Sequence, residues 1–335
     1  MKLVIIIGTR PQYIKFKPLH DYFIKKKVEF VSIDTDQHYD YNLSGIFLSQ
    51  LGLKIDRHLN SQHSDSFSFF SDSMIKIKNE LSEIRPDYVL VLGDTNSSLI
   101  ASLVSYQLGI KVAHIEAGIR CGDKSRPEEM NRILVDDIAD FHFISRKQDA
   151  KNVSNPIYVG DLEYYFLNEL EKNKPFKIEF GNWLLMTIHR QENTTVDRIN
   201  HIFDECKKSY CDIIFPIHPR TKKIIEQHNI DVPKNIKIIE PLGYFEMLDA
   251  LSKCKGVITD SGGVSKIAPF FGKKCLIPSM NIEWDEIIDN EYALQGLDFS
   301  FFDGLYANCG MARDTKLYYN KNACKIIVDT LRKAI

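Results

Sequence analysis

The chain lacks any C-x-x-C pair. Its seven cysteines, Cys121, Cys206, Cys211, Cys254, Cys275, Cys309 and Cys324, are scattered. That spacing excludes a zinc ribbon and a disulfide framework, and reads as free thiols in a reducing cytoplasm. An excess of charge is missing too. Lys and Arg total 43 against 45 Asp and Glu, a formal net charge of −2. A general nucleic-acid surface is thereby excluded, although local positive charge can still hold an anionic ligand. Long apolar runs are absent. The opening one, residues 3–7, is too short for a signal peptide or a membrane span, so no membrane partner is expected and the protein reads as cytoplasmic. Repeats and low-complexity tracts are lacking, and Gly and Pro are modest at 17 and 12.

What remains is a chain of 335 residues, 44% hydrophobic and 26% charged. That describes a soluble globular protein with room for two domains. Strand-like apolar runs alternate with helical periods. Strands are expected at 3–7, 30–33, 88–92, 112–116 and 141–144, with helices at 13–26, 67–81, 97–108 and 130–138. A polar, lysine-rich linker is expected at 171–177. The pattern then restarts, with strands at 183–188, 213–216, 236–239, 256–259 and 274–277. Helices at 196–209, 221–228, 244–251 and 264–271 separate them. Alternation of this kind implies an α/β protein with two Rossmann-like, doubly wound parallel-sheet domains facing a cleft. The expected boundaries are 1–172, 178–318 and a C-terminal segment 319–335.

In open parallel sheets, ligands gather at the carboxyl ends of the strands. The residues there form a consistent set. Gly8, Thr9 and Arg10 follow the first strand, with Lys15 one turn on; Gly93 and Asp94 follow 88–92. His114-Ile115-Glu116-Ala117-Gly118 closes the next strand, and Arg126-Pro127-Glu128-Glu129-Met130-Asn131-Arg132 comes soon after. His189 and Arg190, His218 and Arg220, and Asp260-Ser261-Gly262-Gly263 end strands in the second half. Two readings stand for some of these. Asp94 is also a fair helix N-cap, and His218 before Pro219 a fair turn residue. Glu116 is harder to explain as structure, because a charge ending a buried strand is costly unless it is paired or used. Three carboxylates in one closed site repel, so at least one of Asp94, Glu116 and Glu128 is expected to hold its proton more tightly and to act as an acid. The Ser261-Gly262-Gly263 turn suits a phosphate. Together the residues describe proton transfer coupled to loss of a phosphate-linked group.

These segments, with Gln37-His38-Tyr39-Asp40, resemble the UDP-N-acetylglucosamine 2-epimerase family, and the matches run in order from residue 3 to about 290. The resemblance implies a glycosyltransferase-B fold, with the final helix packed back on the N-terminal domain. It implies elimination of the nucleotide across C1–C2 of the sugar, then re-addition after protonation at C2, interconverting gluco and manno configurations for surface polysaccharide synthesis. No metal and no cofactor are implied. By motif, Asp94, Glu116, Glu128 and His189 fall on catalytic positions. Arg10, Lys15, Gln37, Arg132, Arg190, His218, Arg220, Ser261, Gly262 and Gly263 fall on substrate and nucleotide contacts. The partner is then a nucleotide sugar, and a homodimer is carried over from the family.

Two segments depart from the pattern. Ile267 stands where the family has a glutamate gripping the ribose hydroxyls, a loss of roughly 2–3 kcal/mol in binding. Residues 281–285 replace a Thr-Glu-Arg-Pro-Glu segment. The expectation is retained elimination chemistry with an altered nucleotide grip. The alternatives are a hydrolysing 2-epimerase releasing free sugar and an epimerase-like protein with a different nucleotide carrier.

Overall fold

The computed structural model describes residues 1–37, 41–61, 65–179, 181–279, 282–302 and 311–335. The chain divides into two units, Met1–Leu170 with Tyr318–Ile335, and Glu171–Leu317. Six described cysteines are free thiols; Cys309 lies outside the described residues. No helix among the described residues is long and apolar enough to cross a membrane.

The first unit is built on strands β1 (Lys2–Ile7), β2 (Glu29–Asp34), β3 (Arg57–His58), β4 (Tyr88–Leu92), β5 (Lys111–Ala117), β6 (Phe141–Ile144) and β7 (Pro156–Tyr158). They form one parallel sheet in the order β3-β2-β1-β4-β5-β6-β7. Its helices are α1 (Arg10–Lys26), α2 (Tyr41–Leu51), α3 (Ser66–Ile84), α4 (Asn96–Gln107), α5 (Pro127–Ile138) and α6 (Leu162–Asn173). Strands covered on both faces must be apolar throughout rather than alternating. β1 and β4 obey this, with Leu3 to Ile7 and Val89 to Leu92 fully buried. Val4, Ile6, Val89 and Val91 pack with Ile77, Leu81 and Ile100 in one core.

The second unit repeats the plan. Strands β8 (Trp183–Thr187), β9 (Asp212–Pro216), β10 (Ile236–Ile239), β11 (Gly256–Thr259), β12 (Cys275–Ile277) and β13 (Ala293–Gln295) lie parallel in the order β10-β9-β8-β11-β12-β13. The helices are α7 (Val196–Cys206), α8 (Pro219–Gln227), α9 (Tyr244–Lys253), α10 (Gly262–Ile267) and α11 (Glu286–Asp289). Both sheets reverse strand order once, between β1 and β4 and between β8 and β11. The crevice outside such a reversal is where open α/β sheets place ligands.

The departures from the sequence reading share causes. Helices expected at 13, 130 and 221 begin at Arg10, Pro127 and Pro219. In each the first turn contains proline, whose fixed φ and missing N–H suit that turn. The helix expected at 264–271 is α10 followed by a 3₁₀ turn, Ala268–Phe271, because Pro269 donates no bond. The linker expected from 171 is helical to Asn173. In α6 the buried residues Leu162, Glu163, Tyr164, Phe166 and Leu167 are nearly continuous, so no helical period stands out.

The chain returns to the first unit at Tyr318. Asp161 N–H donates to the Tyr318 carbonyl at 2.8 Å, and the Tyr164 and Tyr318 rings meet edge to face at 5.2 Å. The last helix, α12 (Ala323–Lys333), buries Ala323, Cys324, Ile327, Val328 and Leu331. Gly160 makes this return possible. Its φ is +77°, and a Cβ there would lie 2.7 Å from the Tyr318 carbonyl oxygen. Gly160→Ala is therefore expected to lower stability by about 1–3 kcal/mol. Urea unfolding checks this, and an unchanged midpoint contradicts it.

Candidate active site

The first unit gathers charge at the β1/β4 reversal. Gly8 is needed by close approach, since a Cβ there would lie 2.1 Å from Thr35 Oγ1. Gln12, buried at the start of α1, ties the neighbouring loops together. Its oxygen accepts from Gly8 N–H at 2.8 Å, and its amide donates to the Leu92 carbonyl at 2.8 Å and Thr95 Oγ1 at 2.9 Å. Gln37 accepts from the Ser97 N–H and hydroxyl at 3.0 and 2.7 Å, so its side-chain oxygen braces α4. His38, Tyr39 and Asp40 lie outside the described residues.

Lys15, one turn into α1, donates to Glu116 Oε2. Glu116 has φ +68° inside β5, and the β5–β6 register shifts between Ile115 and Ala117. This is a bulge at a position where a non-glycine residue is strained. Its carboxylate rests over Gly93, whose Cβ would lie 3.0 Å from Glu116 Oε2 and 3.7 Å from Lys15 Nζ. Asp94 follows. The N-cap of α4 is Thr95, which accepts from Ser98 N–H at 3.2 Å, so Asp94 is released from the capping role. Arg132 instead donates to Asp94 Oδ2, and Asn131 donates to the Asp94 carbonyl at 2.9 Å.

The α5 acids divide. Glu129 is buried and accepts from Cys121 N–H, Gly122 N–H and Arg132 at 3.0, 2.9 and 3.2 Å. Glu128 is exposed in the first turn of α5, one turn before Arg132. Arg10 is half-buried at the start of α1. Thus Lys15, Asp94, Glu116 and Arg132 are brought together. Burial pushes the Asp94 carboxyl up, but the charges of Arg132 and Lys15 outweigh it and hold it below the ordinary aspartate range. The raised carboxyl expected from mutual repulsion is therefore not Asp94, because Arg132 and Lys15 answer its charge.

In the second unit Asp260 is the hub. Its carboxylate accepts from the backbone N–H groups of His189 at 3.0 Å and Arg190 at 2.9 Å, and from Asn193 at 3.2 Å. His189 Nδ1 stands 3.2 Å from Asp260 Oδ1, and the half-exposed ring lies 5.8 Å from that of His218. His218 caps α8, accepting from Arg220 N–H at 3.2 Å, and Arg220 is exposed. Ser261 caps α10 by accepting from Val264 N–H at 3.4 Å. Gly262 is approached by Glu283, whose Oε2 lies 2.8 Å from the place of a Cβ, while Arg190 donates to that oxygen at 3.0 Å. Gly263 is exposed in the turn. Ile267 is buried at the end of α10. Beside it buried Lys266 puts its Nζ 4.9 Å from the centroid of the Trp284 ring. The turn thus has an acid close by, from a different segment.

Sequence reasoning missed the supporting groups Gln12, Asn131, Glu129, Asp136, Asp260 and Glu283 as site residues. All lie in or next to the motifs except Asp136, which nothing in the local pattern flags. A further cluster, Asp34, Asp36 and His58, offers ligand atoms within 4.8 Å of one another. Its groups are already engaged: Tyr13 hydroxyl donates to Asp34 at 2.6 Å, Asn60 N–H donates to Asp36 at 2.8 Å, and His58 bonds Asp36 at 3.0 Å.

Burial pushes Asp260 up, but the His189 bond and charge, the Arg190 N–H and Asn193 outweigh it, and the net shift is downward. A lowered carboxyl stabilises the fold above its ordinary value, and that stabilisation is lost as pH falls through the folded value. Asp260→Asn is expected to lower the Tm near pH 7, with the gap closing as pH drops below about 3.8. Thermal melts across that range check it; a gap that stays constant contradicts it.

Comparison with known proteins agrees with this arrangement. The model of a family described as UDP-N-acetylglucosamine 2-epimerase matches residues 23–295. The chain is 37% identical over 309 residues to a UDP-N-acetylglucosamine 2-epimerase homolog of Methanococcus maripaludis, covering 86% of each. It is 33% identical over 307 residues to the UDP-2,3-diacetamido-2,3-dideoxy-D-glucuronate 2-epimerase of Pseudomonas aeruginosa, again covering 86% of each. The crystal structure of Methanocaldococcus jannaschii UDP-GlcNAc 2-epimerase, in complex with UDP-GlcNAc and UDP, matches with a TM-score of 0.83 at 31% identity. The match covers 99% of this chain and 100% of that one. With two parallel sheets of the glycosyltransferase-B class and this extent of identity, the chain belongs to the UDP-N-acetylglucosamine 2-epimerase family.

Proposed function

We propose that this chain interconverts the gluco and manno configurations of a UDP-N-acetylglucosamine-like sugar by eliminating and re-adding the nucleotide. The observation that carries the reading is the convergence of Asp94, Glu116, Lys15 and Arg132 at the β1/β4 reversal. A carboxylate takes the C2 proton, the C1–O bond to the nucleotide breaks, and a C1–C2 double bond forms. An acid then delivers a proton to the other face of C2 while the nucleotide oxygen re-forms the bond to C1. Every proton and electron pair is returned, so the net reaction is an isomerisation.

The residues divide this work. Asp94 and Glu116, each with its own cation, and exposed Glu128 supply the acid and base groups. Lys15 and Arg132 also favour negative charge developing on the substrate. In the second unit His189, Arg190, His218 and Arg220, with the Ser261-Gly262-Gly263 turn, are the groups that suit a diphosphate, since guanidinium groups and backbone N–H groups suit phosphate oxygens. The reaction suits the supply of a precursor for surface polysaccharide, in the cytoplasm, by a homodimer.

Incubation with UDP-, GDP- and CMP-linked sugars in deuterated water, followed by NMR, tests this. Deuterium at C2 and a nucleotide-linked epimer are expected with the UDP sugar. Release of free sugar points to the hydrolytic branch, and preference for another base points to a changed carrier. Absence of C2 exchange across the panel rejects the reading. Glu116→Gln is expected to lower kcat by about 10²–10⁴-fold while UDP affinity by calorimetry stays close to that of the unaltered chain.

A further inference from the structure

One of the buried titratable side chains that the mechanism does not use stands beside the site. His114 lies in β5, two residues before Glu116, and is fully buried. Neither ring nitrogen is idle. Nδ1 bonds Asp136 Oδ1 at 2.6 Å, and Nε2 bonds the Gly93 carbonyl at 3.0 Å. Both partners offer oxygen atoms to the ring. Asp136, on α5, is equally occupied. Its second oxygen accepts from Gly118 N–H at 3.0 Å and Arg120 at 2.6 Å. His142, on the neighbouring strand, bonds the Asp136 carbonyl at 2.8 Å.

Two of the backbone positions these bonds reach, Gly93 and Gly118, are left-handed like the strained residue: Gly93 has φ +64° and Gly118 φ +80°, with Glu116 at +68°. Gly93 N–H also donates to the Ile115 carbonyl at 2.9 Å. The His–Asp pair therefore holds the Gly93–Asp94 and Ala117–Gly118 peptide groups, and Gly93 N–H holds the Ile115–Glu116 one. A left-handed glutamate at the end of a parallel strand costs about 1–3 kcal/mol and persists only where its surroundings over-determine it.

We propose that His114 is a positioning residue. Through Asp136 and the Gly93 carbonyl it holds the Gly93–Asp94 and Glu116–Gly118 turns so that both carboxylates meet the sugar, and it touches no substrate itself. The inference rests on the acid/base reading of Asp94 and Glu116. A displacement of reacting groups by as little as 1 Å can lower turnover by about 10²-fold. The effect should fall on kcat and leave ground-state binding of the nucleotide alone.

The experiment compares the unaltered chain with His114→Leu, His114→Gln and His114→Asn, using UDP-N-acetylglucosamine as substrate and UDP in calorimetry. The Gln amide reaches the place of Nε2 and can serve the Gly93 carbonyl; the Asn amide reaches only the place of Nδ1 and serves Asp136. His114→Leu is expected to lose about 100-fold in kcat, with KM and UDP affinity within about threefold. His114→Gln should recover about tenfold more of kcat than His114→Asn. A folded His114→Leu chain with unaltered kcat overturns the proposal. So does a loss of kcat that the Gln and Asn variants share equally, or one matched by an equal loss of UDP affinity. If His114→Leu does not fold, the Gln and Asn comparison decides. Failure of the unaltered chain to exchange the C2 hydrogen overturns the acid/base reading and this inference with it. Exchange by the unaltered chain and by the variants alike overturns this inference only.

Discussion

The first unit turns on one backbone conformation, the left-handed φ of Glu116 at the end of β5. A regular strand would continue the in-and-out alternation of its side chains and send the carboxylate into the packing beside the sheet. The bulge between Ile115 and Ala117 re-aims it over Gly93, where Lys15 meets it. Gly93 must be glycine for the same reason: its own φ is positive, and the acid occupies the space above it. Lys15, Asp94 and Arg132 are then assembled around the re-aimed carboxylate by three different helices and loops.

Charge balance is the second theme. Each half-buried or buried acid of the two sites is answered. Asp94 has Arg132, Glu116 has Lys15, Glu129 has two backbone N–H groups and Arg132, and Asp260 has His189 with two backbone N–H groups and Asn193. Burial alone would push such groups up, and at Asp94, Glu129 and Asp260 the pairing outweighs it and the net shift is downward. In the second unit the same logic places Glu283 against Arg190 at the Gly262 turn, so an acid stands by the turn.

Much of this was legible in the chain. Central strands announced themselves as unbroken apolar runs, and the residues following them formed a coherent chemical set before any fold was known. The misreadings have local causes. Helices expected from 13, 130 and 221 begin at Arg10, Pro127 and Pro219, because the first helical turn tolerates proline. The error matters at α5, where the early start places Glu128 and Glu129 in the first helical turn and divides them between solvent and interior. Gln12 and Gln37 show the limit on roles: both sit in motifs, yet their amides brace loops.

The sequence by itself determined the class of fold, the family, and which residue types stand at the strand ends, because periodicity and motif spacing are local properties carried by the chain. Only the tertiary structure decided which acid meets which cation. Asp94 and Arg132 are 38 residues apart, Lys15 and Glu116 are 101 apart, and His189 and Asp260 are 71 apart. Such pairings, and the left-handed turn at Glu116 that depends on bonds from His114 and Asp136, follow from strand order and packing. The lowered carboxyls of Asp94 and Asp260 follow from them in turn, since the neighbouring charges and hydrogen bonds outweigh burial there.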